Sequence, residues 1–288
     1  MNPLSIHKAI IEATQILKQA NIQTPRLDAE VILAHQLNWK RLDLITRSNE
    51  TLDREQQDTF YKKINQRAQG VPVQYITGLQ EFMGLDFNVS PDVLIPRPDT
   101  EILIEAAIEE ANSMKSPLTI VDIGTGSGAI ALSLAHFIKG SKVHTIDISP
   151  RALEVAKGNA VKLSLQDNVS FFLGDVFSPL GEEFYGKVDL LVSNPPYIPK
   201  DDILKLQREV GYEPELALDG GLDGLDFYRR IIKEGQKFLS SQGRILFEVG
   251  HDQAQMVENI LREYGFKYVI IKKDLSGIER VVIAKVNS

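Results

Sequence analysis

The sequence contains no cysteine. That absence excludes a disulfide scaffold, a thiolate metal site and a catalytic thiol, and it gives no reason to assign the chain to an oxidising compartment. Long apolar runs are missing too. The opening stretch, MNPLSIHKAIIEATQILKQ, is interrupted by charges every few residues, so neither a signal peptide nor a membrane span is expected there. A soluble, cytoplasmic protein is the expectation. Excess positive charge is also lacking: the net charge is −7, and residues 1–70 carry 10 Lys+Arg against 8 Asp+Glu, leaving 22 against 31 for the rest. Binding through nucleic-acid phosphates usually needs a basic face, and the larger part of this chain opposes one.

Glycine and proline are scarce at one end only. Of 20 glycines and 13 prolines, Gly70, Pro3 and Pro25 alone fall in the first 70 residues, so that part reads as helix. Ile6, Ile10, Ala13, Leu17 and Ala20 make one apolar stripe, and Leu27, Val31, Ala34 and Leu37 another. Asp53 with Gln56 resembles a capping box opening a further helix through Phe60 and Ile64. A length of 288 residues suits two domains. We expect a helical domain over 1–72, a hairpin connector over 73–98 carrying Phe82, Gly84, Phe87 and Val89, and a larger domain over 99–288.

In that larger part, LTIVDI (118–123), KVHTID (142–147), VSFFL (169–173), VDLLVS (188–193) and GRILFEV (243–249) are apolar runs separated by helical stretches. Strands buried on both faces and joined by crossover helices imply a doubly wound, mostly parallel α/β sheet. KYVIIKK (267–273) and GIERVVIAKV (277–286) lie too close for a helix between them, so the sheet should end in an antiparallel pair.

The first of these strands runs into DIGTGSGA, where Gly124, Thr125, Gly126, Ser127 and Gly128 open a helix. Glycines allow a tight turn and close approach of backbone to a ligand, and the helix start adds unpaired N–H groups. A purely structural turn would read the same. Asp147 ends the second strand, just before the Ser149–Pro150 helix start, where a carboxylate can accept both hydroxyls of a ribose. Asp175 follows the third strand and could accept from an adenine amino group, with the Val176 amide facing the ring. Three strand ends in succession suit a nucleoside-containing cofactor.

The fourth strand ends in Asn194, Pro195, Pro196 and Tyr197, which resembles the Asn-Pro-Pro-Tyr motif of methyltransferases acting on planar amino or amide nitrogens. An amide nitrogen attacks poorly because its lone pair is delocalised, so a site must hold its hydrogens and aim it. The Asn194 side-chain oxygen and the Pro195 carbonyl can accept those N–H bonds, and Tyr197 can stack on the flat group.

In order, the helical beginning, IPRPDTE, DIGTGSG, the acid after strand two, GD after strand three, SNPPYIP and ALDGGLDGL resemble the HemK/PrmC family over essentially the whole chain, with no departure within the motifs. The resemblance implies a Rossmann-like, S-adenosylmethionine-dependent methyltransferase acting on the glutamine of the Gly-Gly-Gln loop in class I peptide chain release factors. It implies cofactor contacts at Gly124 to Gly128, Asp147, Asp175, Val176 and Asn194, and substrate contacts at Asn194 to Tyr197. A ribosomal-protein glutamine methyltransferase is the sibling reading. An adenine-amino DNA or RNA methyltransferase shares the Asn-Pro-Pro-Tyr logic but would need a basic groove. Arg97, Thr100 and Glu101 either border the cofactor pocket or serve the start of a helix, and Asp219–Gly224 either folds over the site or forms turns. The five histidines show no metal-ligand spacing, and no metal is expected.

Overall fold

The computed structural model describes residues 4–286. They form two compact units, one reaching to Leu79 and taking in Gln207–Tyr212, the other comprising Gln80–Leu206 and the chain from Glu213 onward.

The first unit holds β1 (Leu4–Ser5), α1 (Ile6–Gln19), α2 (Pro25–Leu37), α3 (Arg41–Thr46), β2 (Thr51–Leu52), α4 (Arg54–Ala68) and α5 (Val73–Thr77). α1 buries Ile6, Ala9, Ala13 and Leu17, close to the expected stripe. The Asp53–Gln56 capping box is present at the start of α4, with each side chain bonded to the other's backbone N–H. For α2 the expected stripe is only partly right: Ala34 is buried and Leu37 packs against the core, but the face is rotated. The buried face is Asp28, Ala29, Ile32, Leu33 and Ala34, while Leu27 is exposed. The reason is an ion pair: Arg67 Nε reaches Asp28 Oδ2 at 2.6 Å with both side chains buried, which turns the Asp28 face inward. Arg67 also pairs with Glu209, so the 207–212 segment is held by the same guanidinium. Removing one partner of such a buried pair strands a charge and typically costs about 3 to 5 kcal/mol.

The second unit begins with a hairpin, β3 (Leu79–Phe82) and β4 (Leu85–Asn88), whose two turn residues, Met83 and Gly84, both have positive φ. There follow α6 (Pro98–Asn112), β5 (Thr119–Ile123), α7 (Ala129–Phe137), β6 (Lys142–Asp147), α8 (Pro150–Lys162), β7 (Val169–Leu173), β8 (Val188–Ser193), α9 (Lys200–Ile203), α10 (Asp226–Gly235), β9 (Leu239–Glu248), α11 (Ala254–Glu263), β10 (Tyr268–Lys273) and β11 (Glu279–Lys285). The seven-stranded sheet has the order β10-β11-β9-β8-β5-β6-β7. It is parallel from β9 to β7, and β11 runs antiparallel to both β9 and β10. No helix among the described residues is long and apolar enough to cross a membrane.

Alternation along the strands sorts the core into two layers. Ile120, Leu190, Val192 and Leu246 face α6, α7 and the hairpin phenylalanines Phe82 and Phe87. Val121, Leu191, Ile245 and Phe247 face Tyr228 and Ile231 of α10 and Val257 and Leu261 of α11. Burial on both faces is why these strands read as continuous apolar runs. β9 starts at Leu239, four residues before the expected Gly243. Its register against β8 jumps there, Val188 facing Leu239 and Leu190 facing Arg244.

The chain winds outward through β5, β6 and β7, then returns to lay β8 on the other side of β5. Ligand crevices form at the carboxyl ends of strands beside such a reversal. The registers make those ends level. Ile123 is opposite Ile146 and Ser193, and Ser193 is opposite Phe247. Gly124, Asp147, Asn194 and Glu248 are each the next residue along their chains, so four neighbouring strands deliver them to one rung.

Candidate active site

A cavity with about 880 Å³ of empty space, its mouth included, opens at the ends of β5, β6, β7 and β8. Its walls include Gly124 and Gly126, the polar side chains of Asp147 and Asn194, and apolar surface from Phe227 and Leu216.

At the glycine end, Gly124 and Gly126 have φ of +86° and +53°. A side chain added at Gly126 would meet nothing within 4 Å, and at Gly124 only the Asn194 carbonyl oxygen at 3.9 Å, so both bare α-carbons face the empty cavity. A Cβ there would occupy ligand space, and the left-handed backbone would strain it. The other loop residues look elsewhere. Gly128 sits against Leu132 and Ala156, where a Cβ would be 3.0 and 3.2 Å from side-chain atoms, so its absent side chain serves helix packing. Thr125 and Ser127 are buried. The Thr125 hydroxyl shares a hydrogen bond with Thr145 at 2.5 Å, and the Thr145 hydroxyl donates to Asp122 Oδ2 at 2.6 Å. Asp122 has no solvent exposure and its other oxygen is unpartnered. Burial pushes its carboxyl up to about 7.

Asp147 lines the cavity and is fixed by backbone donors. Gly126 N–H donates to Oδ2 and Ser149 N–H to Oδ1, both at 2.8 Å. Burial raises its carboxyl above the ordinary value, against the lowering effect of the Ser149, Gly126 and Ile148 amides. Each oxygen keeps a second lone pair free. Ser149 caps α8 through the Ala152 amide, and Pro150 is the first helical residue, as expected.

After β7, Asp175 is exposed and one carboxyl oxygen is paired with Arg230 at 2.7 Å. Val176 is buried against the cavity with φ of +50°. For a β-branched residue that conformation is an outlier, of the kind that collects at ligand-binding positions.

At the other end, Asn194, Pro195 and Pro196 line the cavity. Asn194 Nδ2 donates to the Thr100 hydroxyl at 3.3 Å. Nearby, at the end of β9, Glu248 is 3% exposed, and its carboxyl is pushed up to about 7, chiefly by burial. Tyr197 does not line the cavity. It is half-buried, its carbonyl accepts from Gln253 Nε2 at 2.9 Å, and burial pushes its hydroxyl up to about 12. The Asp219–Gly224 segment explains that position. Ile198 and Gly220 exchange backbone bonds with Leu218 and Ile198 at 3.0 and 2.9 Å, and a Cβ on Gly220 would stand 2.7 Å from the Tyr197 Cα. The segment braces the Asn-Pro-Pro-Tyr turn from behind.

The start of α6 divides its residues among tasks. Arg97 pairs with buried Glu213, next to the cavity-lining Pro214; Asp99 pairs with Arg280 at 2.7 Å; Glu101 accepts the Met83 N–H of the hairpin turn at 2.7 Å. Only Thr100 joins Asn194. Glu248, Asp122 and Glu213 escaped sequence reasoning. Glu248 was detectable in principle, as the acid ending the strand that pairs with the Asn-Pro-Pro-Tyr strand.

Comparisons with known proteins agree across the chain. Residues 8–78 match the PrmC N-terminal domain, and residues 114–277 match a methyltransferase domain. The release factor glutamine methyltransferase of Moorella thermoacetica is 43% identical over 282 residues, covering 98% of either chain. That of Clostridium acetobutylicum is 44% identical over 287 residues, again 98% of either chain. Among solved structures, the hMettl16 catalytic domain in complex with MAT2A 3′UTR hairpin 6 is similar in fold, with a TM-score of 0.60 at 18% identity, covering 75% of this chain and 81% of that one.

Proposed function

This chain belongs to the release factor glutamine methyltransferase family, and on that premise we propose that it methylates the side-chain amide nitrogen of the Gly-Gly-Gln glutamine in class I peptide chain release factors, with S-adenosylmethionine as donor. The observation that carries the reading is one cavity walled by both Asp147 and the Asn194–Pro195 turn. The cavity fits the donor: bare glycine α-carbons face it, and Asp147 keeps a free lone pair on each oxygen for a pair of ribose hydroxyls. Asp175 and the Val176 amide would face the adenine. When bound, S-adenosylmethionine supplies a methyl group already activated by its sulfonium.

This chain's residues then have to hold, align and desolvate a poor nucleophile. Asn194 Oδ1 and the Pro195 carbonyl would accept the two amide N–H bonds and turn the nitrogen toward the methyl. As the new bond forms, those hydrogens become more acidic, so the acceptors bind the transition state more strongly than the ground state. Pro195 and Pro196 keep the turn stiff. The helical unit would recognise the release factor, and the work would take place in the cytoplasm, where translation terminates.

The test offers methyl-labelled S-adenosylmethionine with a class I release factor, a ribosomal protein or DNA as acceptor. Label should appear on the release factor alone, within the peptide carrying Gly-Gly-Gln. Label on DNA adenine instead would replace the reading with amino-group methylation of nucleic acid.

A further inference from the structure

We propose that Asn159 is a positioning residue for the cofactor cavity: its side-chain amide fastens the chain leaving the hairpin to the glycine loop, so that two walls of the cavity keep one separation. The proposal rests on the reading above that S-adenosylmethionine fills that cavity.

Asn159 stands in the third turn of α8 with no solvent exposure. Asparagine is a poor residue for a helix interior, because its amide competes with the backbone for hydrogen bonds. Here the amide is wholly engaged by other segments. Nδ2 donates to the Ser127 carbonyl at 2.8 Å and to the Asn88 carbonyl at 2.9 Å, and Oδ1 accepts the Asn88 N–H at 2.7 Å. Carbonyls only accept and a peptide N–H only donates, so these partners admit one orientation of the amide. Asn88 is the last residue of β4, and Asn159 pairs with both of its backbone groups as a neighbouring strand would.

Each partner leads directly to the cavity. Ser127 lies between Gly126, whose bare α-carbon faces the empty space, and Gly128, which sits against Ala156, one turn before Asn159. The glycine loop is therefore seated on α8 at two successive points. Beyond Asn88 the chain turns at Ser90, whose carbonyl accepts the Val93 N–H at 3.1 Å, and supplies Asp92, Val93 and Leu94 to the cavity wall. α8 also places Ala152 in that wall, and its cap residue Ser149 donates to Asp147. One helix thus sets the loop, the ribose acid and the connector against one another, and Asn159 is where the connector is tied in. Further ties between α8 and the connector are exposed: Arg151 reaches Asp92 at 3.3 Å, and Lys162 Nζ reaches Asn88 Oδ1 at 2.9 Å. Exposed charged contacts contribute little. Packing alone would accept a leucine at this buried helix position, but leucine would strip three backbone groups of their partner.

The test is calorimetric binding of S-adenosylmethionine to the full-length protein, from pH 5.5 to 8, in wild type, Asn159→Asp and Val169→Ala. Asn159→Asp keeps the volume and the acceptor, loses both donors and sets a carboxylate against the Ser127 and Asn88 carbonyls. At pH 8 it should bind the cofactor at least about tenfold more weakly than wild type. The charged side chains of β4 and α8, Asp86, Arg151, Glu154, Lys157 and Lys162, are exposed, so burial governs the new carboxyl and raises its pKa. As the pH falls, that carboxyl gains a hydrogen to donate, and the deficit relative to wild type should shrink at least about threefold by pH 5.5. Val169→Ala removes volume from the same core layer at the start of β7, outside the cavity wall, and should bind within about twofold of wild type. With cofactor and release factor saturating, single-turnover methylation by Asn159→Asp should stay within about threefold of wild type. In wild type, exchange of the Asn88 amide hydrogen should slow roughly hundredfold at a cofactor concentration a hundred times Kd, because opening that bond and filling the cavity exclude each other. Wild-type affinity in Asn159→Asp at pH 8, a deficit that persists on acidification, an equal deficit in Val169→Ala, a saturated rate that falls as far as the affinity, or an Asn88 hydrogen indifferent to cofactor would each overturn the proposal. If Asn159→Asp fails to fold, the Asn88 hydrogen of wild type still decides. Wild type that binds S-adenosylmethionine yet methylates no release factor would overturn the proposed substrate, while the affinities still decide for Asn159.

Discussion

The two ends of the cavity are built from different materials. The end at β5 and β6 is made of backbone: bare glycine α-carbons, peptide N–H groups fixing Asp147, and one carboxylate with lone pairs to spare. The end at β8 is built on a side chain, Asn194, whose Nδ2 donates to the Thr100 hydroxyl of α6, with Pro195 and Pro196 beside it. A backbone cradle suits a ligand that every turnover shares. A side-chain cluster suits the step in which charge develops, because its dipoles can be aimed at one atom. On the proposed function, grip and chemistry would fall to different ends, and mutations should separate them.

Asn194→Ala is expected to have the largest effect. It should lower single-turnover methylation by about a hundredfold or more while cofactor affinity stays near wild type, since one oriented contact to the reacting group is gone. A matching loss of cofactor affinity would break the contrast between the ends. Asp147→Ala should do the reverse. Losing charge-assisted hydrogen bonds worth about 1 to 3 kcal/mol should weaken S-adenosylmethionine binding roughly 5- to 150-fold by calorimetry, with the rate at saturation little changed. The smallest effect concerns Asp122, beneath the glycine loop. Its folded value of about 7 lies above the ordinary 3.8, so the stability its neutral form contributes is fully present below pH 4 and is lost as the pH rises through 7. Asp122→Asn keeps an acceptor for Thr145 and carries no charge. Its melting temperature should therefore fall less than that of wild type between pH 5 and 8, by a few degrees. Equal slopes would show that Asp122 stays ionised, and that the backbone end also relies on a buried charge.

The same contrast governs what could be read from the sequence. Gly124, Asp147 and Asn194 follow strands in contiguous motifs, and strand periodicity was enough to locate them at the carboxyl edge. The seven-stranded sheet and its antiparallel end were equally legible, because both-face burial writes long apolar runs. Glu248 was not legible as a neighbour of Asn194, since that depends on β9 lying beside β8, a pairing that sets Ser193 opposite Phe247, 54 residues further along. The α2 face was misread because a buried Asp28 looks polar until Arg67 is known to reach it. Asp219–Gly224 has the composition of a hinge, yet it forms a backbone brace, and composition cannot tell the two apart.

Because Gly124, Asp147, Asn194 and Glu248 share a rung, the sheet acts as a measuring gauge. Adjacent strands stand about 4.8 Å apart, so the spacing of these four positions is set by the pairing of the backbone, independent of any side chain's length. An added or deleted residue in β8 would carry the Asn194 position past the rung and point its side chain to the opposite face. Variation in such an enzyme is thus confined to exchanging what stands at each mark of the gauge, while the marks themselves stay put.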